Sequence, residues 1–226
     1  MKKNLNNGIC TYCKTGIPKN SRSIIDHFEK CDERTITGAK ASNYFILVLE
    51  DPYAPQYWLV IKAKPNLPLR KLDVFIREIW VDCCGHLSEF SDKNATIPMS
   101  QELSQVFDTG VKINYVYDFG TSTEITISML QEIKDIDVKD IQVLARNKEI
   151  EYQCSHCKNK AVLICSLCAD EDDGLLCESC INKHKCVQEE GEEVLSSIEN
   201  SPRMGVCGYM GYSEKKVKKY FPKDVI

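Results

Sequence analysis

The chain has 226 residues, of which 43% are hydrophobic and 27% charged. That is enough for one ordinary core with small modules or for two compact domains, and it excludes a disordered tail or a fibre. The formal net charge of −4 disfavours a broad nucleic-acid-binding surface, and 13 cysteines in a chain too long and too apolar to need a disulfide scaffold leave their spacing to be explained.

Met1-Lys2-Lys3 opens like the basic start of a signal peptide, but Asn4, Asn6, Asn7 and Gly8 stand where its apolar region would have to be. No run approaches the roughly eighteen apolar residues of a membrane helix. The expectation is a soluble, cytoplasmic protein in a thiol-reducing compartment, where clustered cysteines serve as metal ligands. Residues 1–31 are basic, with Lys2, Lys3, Lys14, Lys19, Arg22 and Lys30 against Asp26 and Glu29. Within a first segment, 1–38, Cys10 and Cys13 form a knuckle, and His27 and Cys31 lie four apart on a predicted helix, on one face. Together they would complete a tetrahedron around zinc. Gly16 is expected to supply the permissive backbone of the turn, and Ile25 and Phe28 to cover the metal. The arrangement resembles a zinc finger of the CCHC type, too short to fold without its metal.

In the segment 41–150, Asn43–Glu50 and Gln56–Lys64 are rich in aromatic and β-branched residues and flank Asp51-Pro52-Tyr53-Ala54-Pro55, which reads as strand, turn, strand. After Pro68, the apolar Leu72, Phe75, Ile76, Ile79 and Trp80 recur at helical steps, predicting an amphipathic helix with proline near its first turn. A strand is expected from His86 to Phe90. Val111–Tyr117 and Glu124–Leu130 alternate as a hairpin, and Ile141–Ala145 reads as a further strand. The fold class is α+β, a mostly antiparallel sheet with at least one packed helix, plus small zinc-binding modules. Cys83 and Cys84, at the helix end, are expected to pack against apolar neighbours. Asp118 is expected to shape the hairpin loop through an Asx-type hydrogen bond and Gly120 through a permissive φ.

This middle segment resembles the plasmid Ri-type open-reading-frame-three-like family, which is functionally uncharacterised. His86-Leu87-Ser88-Glu89-Phe90 is similar to the family's strand after the helix, and Tyr115-Val116-Tyr117-Asp118-Phe119-Gly120 to its hairpin motif. Pro202-Arg203-Met204-Gly205-Val206-Cys207-Gly208-Tyr209 is similar to its closing segment. The resemblance implies that the intervening cysteine-rich stretch interrupts one domain. Where family members carry aspartate, tryptophan and histidine after the hairpin motif, this chain has Thr121, Ser122, Thr123 and Glu124.

The segment 151–187 is denser: Cys154, Cys157, Cys165, Cys168, Cys177, Cys180, His184 and Cys186 fall as four close pairs, the number needed to fill two four-coordinate sites. Alternating pairs favour a cross-brace, with Cys154, Cys157, Cys177 and Cys180 on one ion and Cys165, Cys168, His184 and Cys186 on the other. Sequential pairing is the competing topology. The stretch resembles B-box-type modules, although the gap from His184 to Cys186 is tighter than their final spacing, which leaves Cys207 as an alternative last ligand. His156 is expected to point away from the metal. Paired knuckles with a histidine favour zinc over an iron–sulfur cluster.

The final segment, 188–226, is acidic through Glu189, Glu190, Glu192, Glu193 and Glu199, then basic through Lys215, Lys216, Lys218, Lys219 and Lys223. Asp170-Glu171-Asp172-Asp173 adds an acidic patch before it. About three structural zinc ions are implied, and sites filled by four protein ligands leave no open position for substrate. The leading expectation is therefore a non-enzymatic zinc-binding scaffold for a protein partner, with no small-molecule substrate and no catalytic residue. One alternative is nucleic-acid binding through the basic residues Lys14, Lys19, Arg22 and Lys30 of 1–38, with the family's mobile-element association behind it. The other is an enzyme using His86, Asp118 or Glu124. Ten ligand thiolates against three Zn²⁺ would take the chain to about −8.

Overall fold

The computed structural model describes residues 7–31, 33, 41–93, 95–136, 139–169 and 173–222. Lys2, Lys3, Asp170, Glu171, Asp172 and Lys223 lie outside these described residues. The fold is α+β and is built on a nine-stranded antiparallel sheet.

Its strands are β1 (Gly8–Cys10), β2 (Gly16–Ile17), β3 (Ala41–Glu50), β4 (Trp58–Ala63), β5 (Ser88–Ser91), β6 (Thr96–Ile97), β7 (Lys112–Tyr117), β8 (Thr123–Ile136) and β9 (Ile141–Asn147). Their spatial order is β2-β1-β9-β4-β3-β8-β7-β5-β6. β3 and β4 form a hairpin whose turn is fixed by Asp51, since Oδ1 accepts from the backbone N–H of Tyr53 and Ala54 at 2.7 and 2.8 Å. The strand expected from His86 begins instead at Ser88, because the chain from Asp82 to Leu87 is held in a loop around the Tyr117 hydroxyl.

The unbroken apolar run Tyr44–Leu49 does not alternate because both faces of the central strands are covered. On one face Phe45, Leu47, Leu49, Leu59 and Ile61 meet α2 (Leu69–Ile76), which buries Leu69, Leu72, Phe75 and Ile76. Pro68 occupies the N-cap position of α2, where a missing N–H costs nothing. The helix continues as a π-type turn, Arg77–Val81, closed by Asp82 N–H donating to the Arg77 carbonyl, and this turn buries Ile79, Trp80 and Val81 in succession. Short helices α3 (Leu103–Val106) and α6 (Glu214–Val217) add Leu103 and Val217 to the same core, with Tyr220 and Phe221 following α6.

The opposite face, lined by Ile46, Val48, Trp58, Val60, Leu144 and Ala145, is covered by α1 (Ser21–Lys30) through Ile24 and Phe28. Asn20 caps α1, accepting from Ser23 N–H at 2.8 Å. The first segment is thus fused to the sheet: β1 pairs with β9 across Gly8–Asn147, Ile9–Arg146 and Cys10–Ala145. Gly8 is required there, since an added Cβ would run into the Trp58 ring and lie 2.8 Å from the Arg146 carbonyl oxygen.

A second, three-stranded sheet joins β10 (Leu163–Cys165), β11 (Leu175–Leu176) and β12 (Leu195–Ser197), with α4 (Glu178–Ile181) and α5 (Lys185–Glu190) beside it. Among its described residues the buried apolar cluster is Cys165, Leu176 and Val194, with Ala161 and Ile164 also buried, far less than a free-standing fold needs. The chain then re-enters the large domain: Asn200 bonds Asn147 and Arg146, and the Ser201 hydroxyl donates to the Trp80 carbonyl at 2.5 Å. The cysteine-rich module is an insertion in one α+β domain. No helix among the described residues is long and apolar enough to cross a membrane.

Candidate metal centres

All thirteen cysteines are free. The sulfur and nitrogen spacings decide what they are arranged for. A tetrahedral ion with Zn–S of 2.3 Å and Zn–N of 2.0–2.1 Å sets its ligands about 3.8 Å apart for two sulfurs and about 3.5 Å for sulfur and nitrogen.

In the first segment, Cys10 ends β1, Cys13 closes the turn after it, His27 lies in the last turn of α1 and Cys31 caps that helix. Cys13 Sγ is 3.5 Å from His27 Nε2 and Cys10 Sγ is 4.0 Å from Cys31 Sγ. The turn is anchored on the sheet, with the Thr11 hydroxyl donating to the Val143 and Leu144 carbonyls at 2.9 and 3.0 Å. Two local expectations are corrected. The left-handed residue of the turn is Lys14, φ 60°, not Gly16; its side chain is tied back to the Thr11 carbonyl. Ile24, not Ile25, joins Phe28 in covering the set, because Ile24 and Phe28 share the face that meets Trp58 and Val60.

The inserted module brings Cys154, Cys157, Cys177 and Cys180 into one group and Cys165, Cys168, His184 and Cys186 into another. The pairing is the alternating one, and the sequential topology is overturned because α4 carries the third knuckle back to the first. In the former group Cys157 lies 3.5 Å from Cys177 and 3.9 Å from Cys180. In the latter Cys168 Sγ is 3.5 Å from Cys186 Sγ and 3.6 Å from His184 Nε2. Cys186, opening α5, therefore occupies the last corner and Cys207 does not. His156 stays out of its own knuckle's group; its Nε2 faces His184 Nδ1 at 3.4 Å and its Nδ1 faces Asp173 at 3.5 Å. This chain holds the His184 ring with Nε2 toward the sulfurs.

Proton affinities are uneven across these groups. Burial pushes the Cys10 and Cys168 thiols up to about 12, whereas the Ser179 hydroxyl beside Cys177 draws that thiol down to about 6. A cation bound at such a group must displace the protons of the buried thiols.

The residues weighed for catalysis part company. Asp118 Oδ2 is 3.5 Å from His86 Nε2 but is already paired with the buried Arg203 guanidinium at 2.6 Å, which holds its carboxyl down at about 2. Glu124 instead accepts from the Tyr53 hydroxyl at 3.3 Å. Asp118 makes the expected loop bond, accepting from Gly120 N–H at 2.9 Å, but the left-handed residue is Asp118 itself, φ 65°, and not Gly120. Cys83 and Cys84 were expected to pack in apolar surroundings. Cys83 does so, half-buried against the main core, whereas Cys84 is exposed; both stand with His86 and Cys207 in a fourth group of thiols and imidazole. Neither a Cys-x2-Cys knuckle nor a ligand-bearing helix marks that group; its signal in the sequence is the three cysteines left over from the other sets.

The cations weighed for phosphate contact are partly committed. Lys19, 10% exposed, pairs with Glu50 at 2.6 Å and donates to the Pro55 carbonyl, and Arg22 sits 3.8 Å from Asp26.

No protein-family model matches the chain, and no curated protein does. Among solved structures, the protein of unknown function MM3350 from Methanosarcina mazei Go1 is similar over 46% of this chain and 69% of its own length, at 20% identity and a TM-score of 0.39.

Proposed function

We propose that the protein is a non-enzymatic zinc protein in which structural ions hold a small module and a finger-like segment against an α+β domain, forming a scaffold for a protein partner. The observation that carries this reading is the closure of Cys10/Cys13/His27/Cys31 and of both module groups by four protein ligands at tetrahedral spacing, which leaves no position for a substrate. A reducing, cytoplasmic setting belongs to the same reading, since it keeps thirteen thiols available. So does membership of residues 43–150 in the plasmid Ri-type family: its two motifs lie side by side, Ser88 of β5 opposite Tyr117 of β7.

The surface offered to a partner is the groove where module and domain meet, lined by Ile150, Val162, Met210 and Tyr212 and rimmed by Glu149, Glu199 and Glu214, which outnumber the Lys160 beside them. Met210 is 67% exposed, an adaptable apolar contact among acidic neighbours. An apolar segment with basic flanks suits it. Nucleic-acid binding is disfavoured by the engagement of Lys19, and catalysis by the engagement of Asp118.

Metal analysis of the purified full chain, paired with hydrogen exchange before and after chelation, tests the zinc reading. Zinc in at least the three groups, and loss of amide protection at β10 and β11 on chelation, are expected. A metal-free chain with unchanged protection there overturns it. For the scaffold, Met210→Glu should abolish co-purification of the partner while leaving the zinc content intact; retention of the partner refutes the groove.

A further inference from the structure

Cys83, Cys84 and His86 follow the π-type turn after α2, and Cys207 arrives with the returning tail, 121 positions beyond His86. Their ligand atoms all lie within 4.8 Å of one another. Cys83 and Cys84 Sγ are 3.7 Å apart, as are Cys84 and Cys207 Sγ; His86 Nε2 is 3.4 Å from Cys207 Sγ and 3.0 Å from Cys84 Sγ. The sulfur spacings match the edge of a zinc tetrahedron and are far beyond the roughly 2.05 Å of a disulfide.

The backbone is bent to make this meeting. Gly85, φ 80°, reverses the chain between Cys84 and His86, and the Tyr117 hydroxyl accepts from the N–H of Cys83 and His86 at 3.4 and 3.2 Å while donating to Asp82. Cys207 is held at φ 51°, a left-handed conformation unfavourable for a side chain with a Cβ. The non-glycine residues with positive φ among those described are Lys14, Asp118 and Cys207, and each adjoins or belongs to one of the thiol groups. Strain of this kind persists where the surroundings over-determine it. Arg203 supplies an outer partner, donating from Nη2 to Cys83 Sγ at 3.6 Å and to Asp118.

We infer that Cys83, Cys84, His86 and Cys207 form a fourth metal site, a Cys₃His tetrahedron for zinc that clamps the returning tail to the end of α2. Binding exchanges three thiol protons for one Zn²⁺, leaving one net negative charge beside the Arg203 guanidinium. The choice of metal rests on the zinc reading of the other groups; the geometry is independent of it. Cys84 and Cys207 are both exposed, so this ion is the one a chelator reaches first.

Native mass spectrometry of the full zinc-loaded chain tests the assignment. Wild type should carry about four zinc and the His86→Ala/Cys207→Ser variant about three. An alkylation assay on wild type needs no variant: Cys84 and Cys207, although exposed, should resist a thiol reagent until chelator is added, and should be freed before the module cysteines. Three zinc in both chains, with Cys84 and Cys207 alkylated at once, overturns the fourth site and leaves the other three standing. Four zinc in both chains also overturns it, and no zinc in wild type overturns the zinc reading altogether.

Discussion

Gly8→Ala is the smallest change that separates a first segment built into the sheet from a finger hanging beside it. The added methyl would collide with the Trp58 ring, at 2.6 Å from Cζ2, and would lie 2.8 Å from the backbone oxygen of Arg146. Neither neighbour can give: Trp58 is fully buried among Ile24, Phe28 and Val60, and the Arg146 carbonyl belongs to β9. β1 must shift instead, straining its three-residue pairing with β9 and moving Cys10 relative to His27 and Cys31. Overpacking of this kind costs about 1–3 kcal/mol. For a chain of this length each kcal/mol is worth about 2–4 °C, so the melting temperature should fall by about 2–12 °C. If the whole strain is felt at the metal group, zinc affinity there should drop about 5- to 150-fold, read by competition with a chromophoric chelator. Gly16→Ala is the control, because its Cβ would meet only the Gly8 carbonyl oxygen at 3.9 Å. Equal behaviour of the two variants would refute the docking of β1.

Three further outcomes follow from the same structure. Lys62 and Asp135 form an ion pair at 2.9 Å with both side chains 1% exposed; Lys62→Met alone should cost about 3–5 kcal/mol in denaturant unfolding, and Lys62→Met/Asp135→Leu should recover most of it, because the cost is that of a stranded buried charge. Asp118 is held at about 2 by Arg203. A depressed carboxylate adds stability that is complete above its unfolded value near 4 and lost as pH falls from there through 2; acid unfolding of Arg203→Met should lack this step, and an unchanged pH profile refutes the pairing. His156→Ala removes the partner of His184 Nδ1 and should weaken zinc in that group about 10- to 100-fold while sparing the Cys154 group, as measured by stepwise chelation.

The sheet was legible wherever a strand is specified by its own residues. β7 alternates Ile113, Tyr115 and Tyr117 inward, and α2 shows its stripe, because one covered face imposes one period. β1 was not legible: three residues beginning with glycine carry no period, and their place is set by β9, more than a hundred positions away. The turns erred for a local reason. Glycine is the residue most free to adopt positive φ, so Gly16 and Gly120 drew that role, but lysine and aspartate can be driven there when bonds hold them. Lys14 N–H donates to the Cys10 carbonyl and Asp118 N–H to the Leu87 carbonyl, which places the bend two residues before each glycine.

The metal groups follow the same division between near and distant partners. Knuckles two residues apart, and His27 and Cys31 four apart on one helix, announce themselves because the local backbone alone brings the ligands together. The cross-brace needed only an alternation rule within one module. The fourth group has no such signature: Cys84 and His86 have the same single-residue gap as His184 and Cys186 but no Cys-x2-Cys knuckle beside them, and the ligand that closes the group enters from beyond the inserted module. What the sequence does hold is a remainder. Once ten cysteines are assigned, Cys83, Cys84 and Cys207 are left, and His86 is the histidine not otherwise claimed beside a cysteine pair. Three thiols and one imidazole are a full tetrahedral set, so the unassigned residues of a cysteine-rich chain point to a site and not merely to packing. Cys207 is no spare for Cys186: its Sγ lies 3.7 Å from that of Cys84, in a group apart from the module's own set.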